Sequence, residues 1–287
     1  MSERPLVSIV IVSWNVRELL RACLRSIQTH LHLPLEVIVI DNASHDGSVE
    51  MVRQEFPQMI CVANSINRGF ATANNQAREH IHAPYVLFLN PDTEFTNDAI
   101  APLLQWATTQ SNLGAFGPEL RNADQTHQQS VRNFPTLADQ VIVLLKVSHF
   151  LKWLPVMKRY YADPGAAQQT PLRVDQIMGA ALFMPEPVLT EIGWFDDGYP
   201  NWFEEVDLCQ RIYRRGLDIW YVPVASVIHH GGSSFGQLLT TKKHGWFLTG
   251  LKRYAHHFWP AWQALVVDML APISYGLTIV QLAIKPR

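Results

Sequence analysis

The run YVLFLNPDTEF, residues Tyr85 to Phe95, begins as five consecutive apolar residues and ends in a proline, an aspartate and a glutamate. An unbroken apolar run of this length marks a strand buried on both faces. Pro91 cannot continue a central strand, so the strand ends at Asn90. In an open α/β sheet, ligands bind just beyond the carboxyl ends of the strands, where Asp92 would meet a cation or a sugar. The alternative is that Asp92 only closes a turn after Pro91.

Upstream, the chain repeats this pattern. Leu6 to Val12 (LVSIVIV) is a short β-branched strand, and Asn15 with Glu18 three residues later has the form of a capping box. The helix it opens carries Leu19, Leu20, Cys23, Leu24 and Ile27 on one stripe. A strand from Leu35 to Ile40 ends in DNASHDGS, and one from Met59 to Ala63 ends in NSINRG. A helix from Phe70 to His80 then leads to the Tyr85 strand. Such alternation predicts parallel βαβ units with their polar loops at one edge. No glycine precedes Gly47, which excludes a dinucleotide fingerprint and a Walker-type loop at the first turn. The edge instead carries Asp41, Asn42, Asp46, Asn67 and Asp92, groups suited to ribose hydroxyls, a base edge and a divalent cation.

Downstream of Leu113 the alternation lapses. Val141 to Tyr161 is apolar and aromatic, with Lys146, Lys152, Lys158 and Arg159 interleaved. It reads as a core-packing helix with a solvated lysine edge, or as a surface touching lipid headgroups. Gly179 to Met184 reads as a turn into a strand, and a short helix closes at Gly193. The stretch WFEEVDLCQRIYRRG, Trp202 to Gly216, predicts a helix from about Phe203 with three arginines at its end. Glu205 shares a stripe with Leu208, Cys209 and Ile212 and so points inward, while Glu204 and Asp207 fall on a neighbouring face. The helix dipole would favour the ionised form that a base requires. The alternative is that these acids only decorate a helix start. Past a strand at Ile219 to Val222, His229 emerges from a β-branched run into a Gly-rich turn, placed to join Asp92 on a metal.

The chain has 287 residues, 48% hydrophobic and 17% charged, with a net charge of −2. That length supports one large domain with an appendage, and the near-neutral balance implies no nucleic-acid partner. Cys23, Cys61 and Cys209 are odd in number and set among apolar neighbours, which predicts buried thiols and neither a disulfide frame nor a zinc site. No secretory signal opens the sequence, so cytoplasmic residence is expected. After Pro260 comes AWQALVVDMLAPISYGLTIVQLAI, long enough to cross a bilayer but interrupted by Asp268 and Pro272. Trp259 and Trp262 follow Lys252, Arg253, His256 and His257, an aromatic and basic border of the kind found at headgroups. Three readings stay open: attachment to a membrane surface, docking on the protein itself or on a second copy of the chain, and a true span.

In this order VSIVIVSWN, DNASHDGS, NRGFATANN, FLNPDTEF, GAALFMPEPVLTEIGWFDDGYPNWFEEVDLCQRIYRRG and IHHGGSS resemble the family 2 glycosyltransferases, nearest to their rhamnosyltransferase-like branch. The likeness covers roughly Pro5 to Ser234. It implies an α/β GT-A fold, with a mostly parallel central sheet flanked by helices, and a C-terminal apolar helical tail beyond it. Residues 1–258 would form the catalytic domain, with a donor half to about 112 and an acceptor half from 113, and 259–287 the membrane-associated tail. The implied activity is inverting transfer from a UDP-, dTDP- or GDP-sugar, with Mg²⁺ or Mn²⁺, to a hydroxyl of a glycan or polyprenyl-linked acceptor. The location would be the cytoplasmic face of the inner membrane. The resemblance gives Asp41 the nucleobase or ribose, Asp92 the metal and His229 the diphosphate, with the base drawn from Glu204 and Glu205. Asn42, Asp46, Asn67, Gly69, Asn74 and Asn90 complete the expected donor side, and Gly179, Ala180, Trp194, Asp196, Trp202 and Asp207 the acceptor side. Two departures stand out: the family's DxD reads Asn90-Pro91-Asp92, and its Glu-Asp reads Glu204-Glu205. The rival readings are a nucleotidyltransferase, which would need a Gly- and Arg-rich loop where Ser13-Trp14-Asn15 stands, and a non-catalytic scaffold of the same fold.

Overall fold

The structure is a computed structural model that describes residues 4–231 and 239–284. Gly232, Ser233 and Ser234 of the Gly-rich turn, and the Lys285-Pro286-Arg287 end, lie outside the described residues. In chain order come β1 (Val7–Ser13), α1 (Arg17–His30), β2 (Leu35–Asp41), α2 (Ser48–Glu55), β3 (Ile60–Ala63), α3 (Phe70–Asn75) and β4 (Tyr85–Leu89). Next are β5 (Thr93–Glu94), α4 (Ile100–Ala107), β6 (Leu113–Arg121), β7 (His127–Gln128), β8 (Val131–Arg132), α5 (Leu137–Leu144) and α6 (Pro155–Tyr160). The rest are β9 (Leu172–Arg173), β10 (Gln176–Ile177), β11 (Ala181–Pro185), α7 (Glu186–Ile192), α8 (Glu204–Arg214), β12 (Asp218–His229), α9 (Thr240–Phe258) and α10 (Ala261–Ile284).

The main sheet runs β3-β2-β1-β4-β11-β6-β12-β5. The first four strands are parallel, as the βαβ spacing predicts. Beyond β4 the sheet is mixed: β11 is antiparallel to both neighbours, β12 runs parallel to β6, and β5 pairs antiparallel with the end of β12. All seven residues of β1 are buried, and Val86 to Leu89 of β4 lie between helical layers on both faces.

Three local expectations are corrected, and a fourth gains detail. Asn15 does not cap α1: it takes a positive φ of 52°, and its side chain accepts the His45 amide, tying the first loop to the second. The strand foreseen at Ile219 to Val222 continues to His229 through a register shift between Tyr221 and Ser226, the break that accommodates Pro223. Val141 to Tyr161 is two short helices, because Lys146 at φ 61° ends the first and Pro155 opens the second. The basic border before the tail is engaged in ion pairs: Lys252 and His256 hold Asp268 at 3.0 and 2.8 Å, and Arg253 holds Asp196 at 2.8 Å.

A third apolar cluster joins the end of the chain to this body. Leu144, Tyr199, Phe203, Leu248, Leu251, Tyr254, Ala264, Val267 and Ala271 pack together, so α9 and α10 close over the start of α8. The close approach depends on Gly250, where a Cβ would lie 2.9 Å from the Trp202 carbonyl oxygen. α10 itself is inverted. Ala264, Val267, Ala271, Ser274 and Thr278 form its buried stripe, while Trp262, Leu265, Met269, Ile273 and Val280 lie on the opposite, exposed face. It is long and apolar enough to cross a membrane by length and composition.

Candidate active site

A cavity of about 1300 Å³ opens beyond the carboxyl ends of β1, β2 and β4 and is roofed by α5, α9 and α10. That is larger than a typical single-ligand pocket, roughly 300–1,000 Å³, and leaves room for two substrates. Its walls include Asn42, Asn67, Gly69, Asn90, Asp92, Gly179, Ala180, Trp202, Glu204, Glu205 and His229. These eleven expected site residues come from six separated stretches of sequence.

The sheet wall is held by short, local bonds. Asn42, one residue past β2, donates to Asn67 Oδ1 at 3.0 Å and to the Gly69 carbonyl at 3.2 Å, and accepts the Arg68 amide at 2.9 Å. Gly69 adopts φ 82°, which glycine takes at no steric cost and which lets the chain turn into α3. Asp41 is buried beside this loop and is not among the residues that line the cavity. Its Oδ1 accepts the Ser44 amide, and its Oδ2 has no partner among the described residues.

Asp92 meets His229 because β5 pairs with the end of β12 in a register that sets His229 opposite Thr93. The His229 Nε2 lies 3.3 Å from Asp92 Oδ1 and 3.2 Å from the Asn90 amide nitrogen. Its tautomer follows from its neighbour. Gln128 uses its Nε2 to donate to Asn122 Oδ1 and to the His229 carbonyl, so its Oε1 is the atom 2.7 Å from His229 Nδ1. The proton therefore sits on Nδ1, and in a neutral ring the Nε2 lone pair faces a carboxylate. That lone pair accepts from the Asn90 amide, and a neutral imidazole nitrogen beside a carboxylate oxygen is a donor set that fits a divalent metal.

Glu204 and Glu205 open α8 after two consecutive residues with positive φ, Trp202 at 64° and Phe203 at 72°. This entry, with α9 packed over it, corrects the expected division of faces. Glu204 is 5% exposed and Asp207 1%, both buried, whereas Glu205, expected to be the inward glutamate, is only partly buried; both glutamates line the cavity. The dipole expectation is corrected too. Burial pushes the Glu204 carboxyl well above the usual range, and the neighbouring Glu205 charge adds to this. Burial raises Glu205 as well, partly offset by backbone amides and the Arg132 charge. Each has one oxygen, Oε2, without a partner among the described residues.

The remaining expected residues lie outside the cavity lining. Asp46 accepts the Arg17 and Ser48 amides and closes its own loop. Asn74 donates to the Phe70 carbonyl within α3, and the Trp194 ring packs edge-on against Phe88. Asp196, Asp207 and His257 bring ligand atoms within 4.8 Å of one another. Arg253 on Asp196, and Arg211 with the Tyr199 hydroxyl on Asp207, already supply the donors that a cation would replace.

The cavity also contains groups that sequence reasoning missed. Arg132, Lys146, Lys242, Lys243, His244, Trp246 and Phe247 line it, on or beside β8, α5 and α9. The adjacent Lys242-Lys243-His244 was the one local signal. The three thiols are free; Cys23 and Cys209 are buried as expected, which raises both to about 12, whereas Cys61 is only partly buried.

Comparison with known proteins agrees with this architecture. Over 242 residues the chain is 27% identical to an N-acetylglucosaminyl-diphospho-decaprenol L-rhamnosyltransferase of Mycobacterium tuberculosis, covering 80% of this chain and 77% of that one. Over 263 residues it is 26% identical to the rhamnosyltransferase WbbL of Escherichia coli K12, covering 87% and 92%. The mannosyltransferase PcManGT of Pyrobaculum calidifontis, solved with GDP-Man and Mn²⁺, superposes with a TM-score of 0.56 at 18% identity, over 100% of this chain and 77% of that one. That likeness shows the shared GT-A fold. Residues 8–164 match the family described as glycosyl transferase family 2. The chain belongs to that family and is a glycosyltransferase.

Proposed function

We propose that this enzyme transfers a sugar, with inversion, from a nucleotide-diphosphate sugar to a hydroxyl of a polyprenyl-diphosphate-linked glycan at the cytoplasmic face of the membrane. The observation that carries the reading is the meeting in one cavity of a glutamate pair, Glu204 buried and Glu205 partly buried, with Asn90, Asp92 and His229. The rhamnosyltransferase relatives support L-rhamnose as the sugar, and the mycobacterial relative's name supports an N-acetylglucosaminyl-diphospholipid as acceptor.

The donor half, residues 1–112, would hold the nucleotide. The unpartnered Asp41 Oδ2 suits a base amide or a ribose hydroxyl, and the Asn42–Asn67–Gly69 network fixes the loop around it. Asp92 and His229 would hold Mg²⁺ or Mn²⁺, which when bound neutralises the departing diphosphate. The acceptor half, residues 113–258, provides Glu205 as the base that takes the acceptor hydroxyl proton as the oxygen attacks the anomeric carbon. Its raised pKa suits the role, because a base works best when poised near the operating pH. Glu204 would keep the pair's shared proton, since two adjacent buried carboxylates do not both ionise readily. Gly179 lies beside Glu205, where a Cβ would come 3.7 Å from the glutamate Cβ, leaving space for the acceptor ring.

The outward face of α10 would rest on the bilayer surface, with its small-residue face fastened to α9. The deciding experiment is product analysis with purified full-length enzyme, dTDP-rhamnose and the UDP- and GDP-sugars, Mg²⁺ or Mn²⁺, and an N-acetylglucosaminyl-diphospholipid. Inverted glycoside formed with the parent and absent with Glu205→Gln is expected. Retained configuration, or equal turnover by that variant, overturns the reading.

A further inference from the structure

Positive charge collects at one end of the cavity. The carboxylates on its lining are Asp92, just past β4, and Glu204 and Glu205 at the start of α8. At the helical end stand Lys146, in the turn after α5, and Lys242 and Lys243, in the first turn of α9. None of these three lysines has a carboxylate within ion-pair distance among the described residues. Arg132 also lines the cavity, but its charge acts on Glu205.

Lys146 is built into place. Its backbone holds a left-handed φ of 61°, and its Nζ lies 3.2 Å from the Nδ1 of His244 on α9. The His244 Nε2 lies 3.1 Å from the Ser274 hydroxyl on α10. His244 is buried, and burial with the neighbouring Lys146 charge lowers its pKa to about 4, so the ring is neutral and accepts from the ammonium. Burial likewise lowers the pKa of Lys146 itself, the condition that an anionic ligand relieves.

The position of this end is informative. Phe247 packs on Phe203, the residue before Glu204, at 5.5 Å between ring centroids. Lys243 is four residues earlier on α9, about 5–6 Å along the helix axis. An anion there lies about one helical turn beyond the residue that packs on the start of α8. Thr278 and Gln281 of α10 line the same cavity, so the basic end opens beside the helix whose outer face is apolar. A sugar carried on a diphosphate with a long apolar chain would meet each of these features in order.

We propose that Lys146, Lys242 and Lys243 form an anion site for the diphosphate of the lipid-linked acceptor, with Lys146 positioned by His244 and Ser274. This rests on the acceptor class proposed above and adds the residues that select for it.

The test uses full-length enzyme in detergent and two acceptors with the same sugar: N-acetylglucosaminyl-diphospho-citronellol and the neutral octyl N-acetylglucosaminide. In Lys146→Met and in Lys242→Gln/Lys243→Gln, the KM for the diphosphate acceptor should rise at least 10-fold. The KM values for the neutral glycoside and for the donor should stay within about 2-fold. His244→Gln, which keeps an acceptor oxygen, should retain most of the parent's preference for the diphosphate acceptor, and His244→Leu should lose it. A rise in donor KM alone would assign the lysines to the donor diphosphate and overturn the proposal, as would equal rises for both acceptors. Weaker binding to phosphatidylglycerol vesicles with unchanged KM would assign them to lipid headgroups, again overturning it. Calorimetry with farnesyl diphosphate, without donor or metal, separates the two layers of inference. If the parent transfers to neither acceptor but binds farnesyl diphosphate through these lysines, the transfer reading fails and the anion site stands. If the parent does not bind it, the site fails.

Discussion

The two walls of the cavity are made differently. On the sheet wall, Asn42, Asn90 and Asp92 each stand one to three residues past the end of a parallel strand, held by bonds to neighbouring loops. On the helical wall, Lys146, His244 and Thr278, with Ser274 behind His244, come from three elements far apart in sequence and meet only because small residues let α9 and α10 pack closely. Bond-breaking chemistry needs fixed geometry, and a wall set by strand register provides it. A lipid-linked acceptor needs a route from the bilayer, and a wall whose outer face is apolar provides that. Glu204 and Glu205 sit at the junction.

The sharpest way to break this division is at the junction. Glu205→Gln keeps size and loses the proton acceptor, so kcat should fall by about 10²- to 10⁴-fold with donor binding within a few-fold. Glu204→Gln should cost far less. The reverse order in single-turnover assays would exchange their roles.

A smaller loss is expected on the sheet wall. Asp92→Asn should remove the benefit of added Mg²⁺ or Mn²⁺, as measured by titrating metal into EDTA-treated enzyme. Gln128→Leu should weaken metal activation by about 10- to 100-fold, because the His229 tautomer loses its anchor. Full activity in excess EDTA would sink the assignment of Asp92 and His229 to a metal.

These contrasts also show what the sequence made legible. The parallel half could be read because strand, loop and helix follow one another locally. An apolar run ending in Asn-Pro-Asp has few other meanings. The depth of Glu204 could not be read, because periodicity alone did not know that α9 would cover the neighbouring face of α8. Burial rather than the helix dipole then controls its proton. Asp196 and Asp207 looked like acceptor ligands by position and instead meet arginines contributed by α9 and α8. The basic end of the cavity was invisible for the same reason: Lys146 gains its meaning only beside His244, a contact across 98 residues.

The glutamate pair makes a third prediction, on stability. Burial raises both carboxyls in the folded chain. The stability such a group contributes is complete below its unfolded pKa, about 4.3, and is lost as pH rises through the raised folded value. Glu204→Gln removes that loss. Its Tm should exceed the parent's by about 2–4 °C at pH 8, a gain of roughly 1 kcal/mol, and the difference should close towards pH 4. Equal Tm values at pH 8 would mean that Glu204 ionises in place without penalty.

The smallest effect on catalysis is expected on α10, where the two faces of one helix can be set against each other. Leu265, Met269 and Ile273 are all more than half exposed, so replacing them with serine removes little packing and should change stability by under about 0.5 kcal/mol each. Burying each in an apolar phase is worth roughly 1.5–3 kcal/mol, so the triple variant should lose most membrane affinity. Cell fractionation should move it to the soluble fraction, while kcat on a detergent-dispersed acceptor stays within about 2-fold of the parent. Ala271→Leu, on the opposite face, should do the reverse: it overfills the apolar cluster beneath α10, costs about 1–3 kcal/mol in stability and leaves the membrane face intact. A triple variant that stays membrane-bound at high salt would show that α10 spans the bilayer or is held by a partner. A parent enzyme that is soluble at low salt without detergent would show that the exposed face serves another copy of the chain.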